Sequence, residues 1–182
     1  DSGKTVVSAI LCQALGASYW KPVQAGFPTD SETIRQLVAS SDIKVYPETY
    51  VFKTAASPHA AAALENITIK LEDFAVPKHS SDLIIEGAGG TLVPLNDENL
   101  VIDLVPRFNA SIILVANLYL GSINHTLLTY EAISRRDIPV KGIVFNGLHN
   151  SESERIILLR TGLQLLLHVD QEKHIDEATV KK

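Results

Sequence analysis

The sequence has 182 residues, of which 46% are hydrophobic, and this size and composition suit one domain with a buried core. The formal net charge is -5, with no block of Lys or Arg, which argues against nucleic acid or an anionic membrane surface as a partner. No apolar stretch approaches the roughly 20 residues that cross a bilayer, and the single cysteine fits a reducing compartment, so we expect a soluble, cytoplasmic protein.

Short apolar runs alternate with stretches of helical spacing along nearly the whole chain. The apolar runs predict buried parallel strands at residues 17–20, 83–85, 112–116 and 142–145. Helical spacing predicts helices at residues 4–15, 31–40, 58–65, 100–108, 123–135 and 156–167, whereas the polar segment 168–182 is expected to cover a ligand or to be partly disordered. The alternation predicts an α/β fold in which residues 1–182 form a single domain, a doubly wound and mostly parallel sheet flanked by helices.

The chain opens on the second half of a Walker A pattern, the phosphate-binding loop of P-loop proteins: Asp1-Ser2-Gly3-Lys4-Thr5, followed by an apolar helical run from Val6. Glycine lets the backbone approach phosphates, and the amides at a helix start point at the anion. Lys4 then supplies charge to the β- and γ-phosphates, and the Thr5 hydroxyl supplies a Mg²⁺ ligand. We expect ATP phosphates at residues 1–6, and a strand and the first half of the loop before residue 1. A chance helix start capped by Thr5 is the alternative.

Two further charged residues follow predicted strands, at the sheet edge where ligands bind in such folds. Glu86 directly follows the second predicted strand and is a candidate Mg²⁺ ligand. Lys21 directly follows the first; a lysine near Lys4 is unfavourable unless an anion lies between them, so Lys21 is expected to neutralise charge during phosphoryl transfer. Asp30 is a second candidate Mg²⁺ ligand, or a cap of the next helix. Solvated side chains at strand ends are the simpler alternative for Glu86 and Lys21.

Two turns in the second half of the chain carry further candidates. The turn at residues 121–125 opens a predicted helix, where backbone amides can bind a carboxylate or a phosphate, and plain capping by Ser122 or Asn124 is an equal alternative. Asn146 lies in an Asn-Gly turn after the last predicted strand, where its amide could contact a purine.

Cys12 is expected to be a small buried core residue. The histidines show no metal-ligand spacing, so no zinc site is predicted, and there is no nucleophile with a paired base.

In their order along the chain, these motifs resemble the dethiobiotin synthetase family. The resemblance covers residues 1–146 and rests on the Gly-Lys-Thr loop, Lys21-Pro22-Val23, Ser57-Pro58-His59, Glu86-Gly87-Ala88-Gly89-Gly90 and Gly121-Ser122-Ile123-Asn124-His125. The Walker A piece is generic, and the pairing of the Lys-Pro-Val and Gly-Ser-Ile-Asn-His motifs is the specific part. The fold this implies is of the P-loop nucleotide hydrolase type.

The resemblance implies a ligase of biotin biosynthesis that uses ATP and Mg²⁺ to close the ureido ring of dethiobiotin from 7,8-diaminopelargonate and CO₂. One substrate amine captures CO₂ as a carbamate, and a carbamate oxygen takes the γ-phosphoryl group. The second amine then attacks this carbamic-phosphoric anhydride and expels phosphate, so no enzyme nucleophile is needed. A homodimer is also implied, in which the turn at residues 121–124 of one subunit binds the distal carboxylate of the substrate in the other.

Residue roles carry over by motif. Lys4 and Lys21 stabilise the carbamate and the transferring phosphoryl group, while Thr5, Asp30 and Glu86 hold Mg²⁺. The substrate-binding positions implied are Lys21, Ala25, Gly87, Ala88, Gly89, Gly121, Ser122, Ile123 and Asn124. The nucleotide-binding positions implied are Asp1, Ser2, Gly3, Lys4, Thr5, Val6 and, for the nucleobase, Asn146. The chain departs from the family at Ser2, where an apolar residue is frequent, and at Ala25, where many members have a hydroxyl.

Two other classes of function stay open at this level. A P-loop amide ligase of cobalamin synthesis shares the phosphate site, but it usually needs a glutaminase domain for which this chain has no room. A ParA- or MinD-like switch ATPase that binds partners would carry a second lysine in the P-loop, in the part that would precede residue 1. It would usually also carry a basic or amphipathic surface element, and none is evident in the sequence.

Overall fold

The computed structural model describes residues 2–40 and 42–181, so the predicted role of Asp1 lies outside the described residues. This part of the chain forms eight short strands and seven helices. The strands are β1 (Ser18–Trp20), β2 (Val23–Ala25), β3 (Val45–Tyr46), β4 (Tyr50–Phe52), β5 (Leu83–Ile85), β6 (Ile112–Asn117), β7 (Val140–Asn146) and β8 (Leu165–Val169). The helices are α1 (Lys4–Leu15), α2 (Asp30–Leu37), α3 (Pro58–Leu64), α4 (Leu104–Arg107), α5 (Ser122–Ser134), α6 (Ser151–Thr161) and α7 (Glu177–Lys181), and 3-10 turns occur at Leu71–Asp73 and Val101–Asp103.

All strand pairs among these eight strands are parallel. They form three groups, in the orders β3-β1-β5, β2-β4 and β6-β7-β8. Parallel neighbours cannot be joined by tight turns, so the chain crosses over through helices, which cover the sheet. The predicted α/β fold with a parallel sheet is confirmed.

A cavity of about 760 Å³ lies between β5 and β6, beneath α1. Both strands contribute apolar side chains to it, and within residues 2–40 and 42–181 each of the two strands pairs along one side only. The strand expected before residue 1, and the single-domain boundary of 1–182, stay predictions.

Helix α1 packs into a core cluster that also contains Tyr19, Ile34 and Val180. The candidate phosphate loop lies at the start of this helix. Gly3, at φ 78°, precedes the helix, and Gly16, at φ 62°, ends it with its N–H donated to the Cys12 carbonyl. Both values lie in the left-handed region that favours glycine. Ala9 and Cys12 pack against Tyr19, so the buried position predicted for Cys12 is confirmed. Burial, with a smaller contribution from the charge of Glu86, raises the pKa of the Cys12 thiol to about 12.

The prediction of one helix over residues 156–167 is wrong in its second half. Helix α6 ends at Thr161, because Gly162 takes the left-handed conformation at φ 67° and caps the helix. The apolar residues that follow form β8, which lies parallel to β7. The remaining segment also joins the fold, since Val180 of α7 is buried in the core cluster of α1.

No helix within residues 2–40 and 42–181 combines the length and the apolar character needed to span a membrane.

Candidate functional site

The pairing of β1 with β5 brings two of the predicted site residues together. Trp20, the last residue of β1, is in register with Ile85, the last residue of β5, and the Glu86 N–H donates to the Trp20 carbonyl at 3.0 Å. The next residues, Lys21 and Glu86, therefore leave the sheet side by side at its carboxyl edge. Although 65 positions separate Lys21 from Glu86 in the sequence, the parallel pairing of β1 with β5 brings them together.

Glu86 is the centre of a buried hydrogen-bond network. Glu86 is 4% exposed, which excludes the alternative of a solvated glutamate in a turn. Oε1 accepts from the Thr5 hydroxyl at 3.0 Å and from Lys21 Nζ at 3.4 Å. Oε2 accepts from the Ser8 hydroxyl at 3.1 Å and from the Tyr19 hydroxyl at 3.0 Å. These contacts fix both oxygens, so one side of the carboxylate is held by the core and the other faces Thr5 and Lys21.

Asp30 completes the cluster from the start of α2. Its Oδ1 lies 3.1 Å from the Thr5 hydroxyl, and its Oδ2 forms an ion pair with Lys21. The alternative role of Asp30 as a helix cap is wrong, because Thr29 caps α2 in a capping box with Glu32. One hydroxyl proton of Thr5 cannot serve two carboxylates at once. The three oxygen-bearing side chains therefore need a cation among them, and Lys21 supplies one.

Lys21 is 6% exposed, so it is not a solvated lysine at a strand end. Burial lowers the pKa of Lys21 from its ordinary value; the Glu86 carboxylate opposes this shift, and the positive charge of Lys4 adds to it. The influence of Lys4 agrees with the prediction that the two lysines lie near each other. Such a pair is ready to receive an anion, because a bound phosphoryl group would relieve the repulsion between them.

Three supporting residues were missed by the sequence analysis. Ser8 and Tyr19 hold Oε2 of Glu86, and burial together with the Glu86 charge raises the pKa of Tyr19, which keeps its hydroxyl a proton donor. Gln24 accepts from the Asp30 N–H at 3.2 Å and donates to the Gly26 carbonyl at 3.0 Å. Ser8 lies one helical turn after Lys4, which is a usable signal. Tyr19 looks like any core residue of a buried strand.

Asn146, the predicted nucleobase contact, lies directly against the start of the chain. Its side-chain Nδ2 donates to the Ser2 carbonyl at 3.0 Å. A Cβ on Gly3 would come within 2.1 Å of the same nitrogen, so a larger residue there would displace the Asn146 amide, and the φ of 78° also favours glycine. Asn146 is therefore joined to the candidate phosphate loop, although 144 positions separate it from Ser2.

We expect Asn146→Ala to raise the KM for ATP about 10-fold with little change in kcat, because the loop before α1 loses the hydrogen bond that joins its Ser2 carbonyl to β7. The measurement is steady-state kinetics with ATP and with GTP. Equal losses with both nucleotides indicate a loop-holding role, whereas a changed preference between them indicates the predicted contact with the base. An unchanged KM for both would contradict either role.

The remaining predicted substrate residues lie in three other segments. Gly87, Ala88 and Gly89 follow Glu86, and Gly89 has a φ of 73°. Ala25 ends β2, beside β4. Gly121, at φ 101°, precedes α5, and the local hydrogen bonds run from the Ser122 N–H to the Tyr119 carbonyl and from the His125 N–H to the Gly121 carbonyl. The structure thus brings Thr5, Lys21, Asp30 and Glu86 together, while Ile123 and Asn124 lie in the first turn of α5.

Comparison with known proteins identifies the family. The profile of a family described as AAA domain matches residues 1–179. The ATP-dependent dethiobiotin synthetase BioD of Cytophaga hutchinsonii is 59% identical over 182 residues, covering 99% of this chain and 88% of that protein. The chain belongs to the ATP-dependent dethiobiotin synthetase family. The proteins of the same name from Brucella ovis and Brucella suis are 50% identical over 157 residues, or 85% of this chain and 74% of theirs.

Membership of the dethiobiotin synthetase family confirms the resemblance that the sequence motifs indicated. The match to the Cytophaga protein also extends the likeness beyond residue 146, into the C-terminal part where no motif was recognised. The parallel sheet, the covering helices and the family profile agree with a P-loop type of α/β fold.

Proposed function

We propose that this protein is an ATP- and Mg²⁺-dependent ligase that closes the ureido ring of dethiobiotin from 7,8-diaminopelargonate and CO₂. The observation that carries the proposal is the 59% identity, over 99% of the chain, to a protein named ATP-dependent dethiobiotin synthetase. The buried cluster of Thr5, Lys21, Asp30 and Glu86 supports it, because fixed charges of both signs suit binding of Mg²⁺ and a transferring phosphoryl group. Family membership also favours this function over the two alternatives considered above. We further propose a cytoplasmic location, which the single cysteine supports.

The donor set of the cluster fits Mg²⁺. Thr5, Asp30 and Glu86 offer one hydroxyl and two carboxylates, and Mg²⁺ prefers hard oxygen ligands and shares them with substrate phosphates. The Thr5 hydroxyl lies 3.1 Å from Asp30 Oδ1 and 3.0 Å from Glu86 Oε1, so the three donors already face one another. Bound there, Mg²⁺ would neutralise charge on the β- and γ-phosphates.

In the proposed reaction, Lys4 and Lys21 bind the anions that react. A carbamate oxygen forms a bond to the γ-phosphorus, and the bond from that phosphorus to the β-γ bridging oxygen breaks, which releases ADP. The second amine then attacks the carbamate carbon, loses a proton, and expels phosphate together with the oxygen that came from CO₂. Lys21 is suited to this role because its side chain is anchored between Asp30 and Glu86 and is shielded from water.

The proposed site for the substrate includes Ala25 and the loop of Gly87, Ala88 and Gly89. Ala25 ends β2, and the loop directly follows Glu86, so both segments begin near the Lys21 cluster. The backbone of the glycine loop can approach a ligand closely. Ala25 carries no hydroxyl, so any hydrogen bond from this position comes from its backbone.

A homodimer is proposed because the family resemblance implies that the turn at residues 121–124 binds the distal carboxylate of the substrate held by a second subunit. Tyr119, Leu120 and Leu128 expose large apolar side chains around this turn, as expected of a surface that a second subunit covers. We expect a particle of about twice the 19.8 kDa chain mass in sedimentation equilibrium. The double variant Leu120→Glu with Leu128→Glu should give the monomer mass, and a wild-type monomer would contradict the shared site.

We expect Asn124→Ala to raise the KM for the diamine about 10-fold and to leave the KM for ATP within about 2-fold, because the turn holds only the distal carboxylate. Glu131→Ala, an exposed change on the same helix, is the matched control and should alter neither constant. Equal increases for both substrates would count against the carboxylate role of the turn.

The function itself is tested by phosphate release with bicarbonate present, with and without 7,8-diaminopelargonate. We expect release to depend on the diamine and to match dethiobiotin in a 1:1 ratio, about one phosphate for each ring closed. Phosphate release at the same rate with and without the diamine, and with no dethiobiotin formed, would instead favour the switch ATPase.

A further inference from the structure

A second group of metal-ligating side chains lies beyond the carboxyl end of β7, formed by residues that the proposed reaction does not use. It joins His149 of the loop after β7, Glu154 of α6 and His168 of β8. Glu154 Oε1 lies 3.1 Å from His149 Nδ1 and 3.5 Å from His168 Nδ1. One potential ligand atom from each of the three lies within 4.8 Å of the others. Asp170 Oδ1 lies 3.5 Å from His149 Nε2, which brings a second carboxylate to the same group.

The hydrogen bond of His168 fixes which of its nitrogens can bind a ligand. Nε2 lies 2.9 Å from the Gly147 carbonyl, and because a carbonyl oxygen only accepts, Nε2 must carry the proton. In the neutral ring, Nδ1 then presents a lone pair. That atom is buried and makes no hydrogen bond with the described residues, and the side chain is only 9% exposed. A ligating histidine typically donates its other ring N–H to a backbone carbonyl in this way.

The Nδ1 lone pair of His168 faces a carboxylate oxygen at 3.5 Å, an arrangement that a proton or a metal cation between the two atoms would stabilise. Glu154 is held in place because its Oε1 also accepts the Asn150 N–H at 3.0 Å, and its side chain is 14% exposed. Backbone hydrogen bonds therefore hold both acceptors in place: His168 Nδ1 through the Nε2 bond to the Gly147 carbonyl, and Glu154 Oε1 through the Asn150 N–H. A metal ion between them would form a bond to each.

We propose that His149, Glu154 and His168 form a binding site for one divalent transition-metal ion of the zinc class, with Asp170 or water completing the coordination. Two imidazoles and a carboxylate suit Zn²⁺ and its neighbours in the first transition row, whereas Mg²⁺ and Ca²⁺ prefer sites made of oxygen ligands. The site is separate in residues and in ligand type from the oxygen cluster of Thr5, Asp30 and Glu86.

The distances agree with such an ion. Ligand atoms at about 2.0–2.1 Å from a tetrahedral zinc are about 3.3 Å from one another, close to the 3.1 and 3.5 Å that separate Glu154 Oε1 from the two imidazole nitrogens. The two rings stack with centroids 3.4 Å apart, so one must turn for both lone pairs to point at a shared ion. His149 can do so, because its side chain is 63% exposed.

The prediction of no histidine metal site was made from spacing, and spacing could not find this group. The ligands are 5 and 14 positions apart in sequence, by their numbers 149, 154 and 168, and no compact zinc motif contains such a set. They meet because β8 pairs with β7, with His168 opposite Phe145. The bound ion would cross-link β8, α6 and the loop after β7 through one ligand from each.

The test uses the untagged full chain, stripped of metal with a chelator and kept in excess Mg²⁺ so that the oxygen cluster is occupied. Titration with Co²⁺ should give visible absorption bands that saturate at one equivalent and are removed by Zn²⁺. Zn²⁺ should also raise the midpoint of thermal unfolding. Glu154→Gln and His168→Gln should each weaken Zn²⁺ binding by at least about 10-fold and abolish the thermal shift.

Three variants separate ligand loss from other effects. His149→Ala changes an exposed side chain, so it tests the site even where His168→Gln fails to fold. His79→Gln and Glu152→Gln, an exposed histidine and an exposed glutamate of α6 outside the group, are the matched controls and should bind like wild type. Absence of saturable binding by the wild-type protein, or binding that survives both His149→Ala and Glu154→Gln, would overturn the proposal.

Discussion

Lys21→Ala is expected to lower turnover by about 10³-fold, the effect of removing a fixed charge from a phosphoryl-transfer site. The same change should destabilise the fold by about 3 kcal/mol in the absence of Mg²⁺, because Asp30 and Glu86 are left without their cation. Added Mg²⁺ should recover part of that stability, and should stabilise the variant more than it stabilises wild type. The measurements are kcat at a temperature where circular dichroism shows a folded variant, and thermal unfolding with and without Mg²⁺.

Lys53→Ala is the matched control, because Lys53 also directly follows a short strand, β4, but is exposed. It should leave turnover and stability unchanged within error. Near-normal turnover by a folded Lys21→Ala variant would remove Lys21 from the reaction and reduce it to a partner of the two carboxylates.

Glu86→Gln is the second change with a large expected effect. The half-saturating Mg²⁺ concentration should rise by at least about 10-fold, and kcat at saturating Mg²⁺ should fall about 10²-fold, because one of the two carboxylates of the cluster is lost. The fold should survive. The amide oxygen can still accept from Thr5 and Lys21, while the amide nitrogen donates to the hydroxyls of Ser8 and Tyr19, which can reverse their roles.

Tyr19→Phe separates the charge of Glu86 from its orientation. It removes one hydrogen bond to Oε2 and leaves the carboxylate in place. We expect a kcat within about 10-fold of wild type and a Mg²⁺ requirement close to normal. A Mg²⁺ requirement that is unchanged in Glu86→Gln would exclude Glu86 as a ligand.

Much of the site could be predicted because its chemistry lies at strand ends. Residues that directly follow buried parallel strands share one edge of the sheet, so Lys21 and Glu86 were expected near the loop that holds Thr5, and the structure brings all three together. Helix α1 was predicted with its observed bounds, because its apolar spacing is long and a glycine lies at each end.

The features that were missed depend on tertiary contacts or on very short elements. Strands β2 and β4 are three residues each and pair with each other, and runs this short do not stand out in the sequence. Strand β8 was merged with α6 because its apolar residues continue the apolar run of the helix, although Gly162 marks the break. The His149 group exists only once β7 and β8 are paired, which no local pattern reveals.

In the proposed reaction a carbamate oxygen is phosphorylated and then leaves with phosphate. The most direct test is one reaction of the wild-type protein with ATP, Mg²⁺ and the diamine in bicarbonate labelled with ¹³C and ¹⁸O, followed by mass analysis of both products. We predict dethiobiotin that carries one ¹³C and one ¹⁸O in its ureido carbonyl and phosphate that carries the second ¹⁸O of the same CO₂, in equal amounts. Dethiobiotin that keeps ¹⁸O in its ureido oxygen, formed together with phosphate that carries none, would contradict the anhydride, and phosphate without dethiobiotin would contradict the ligase function itself.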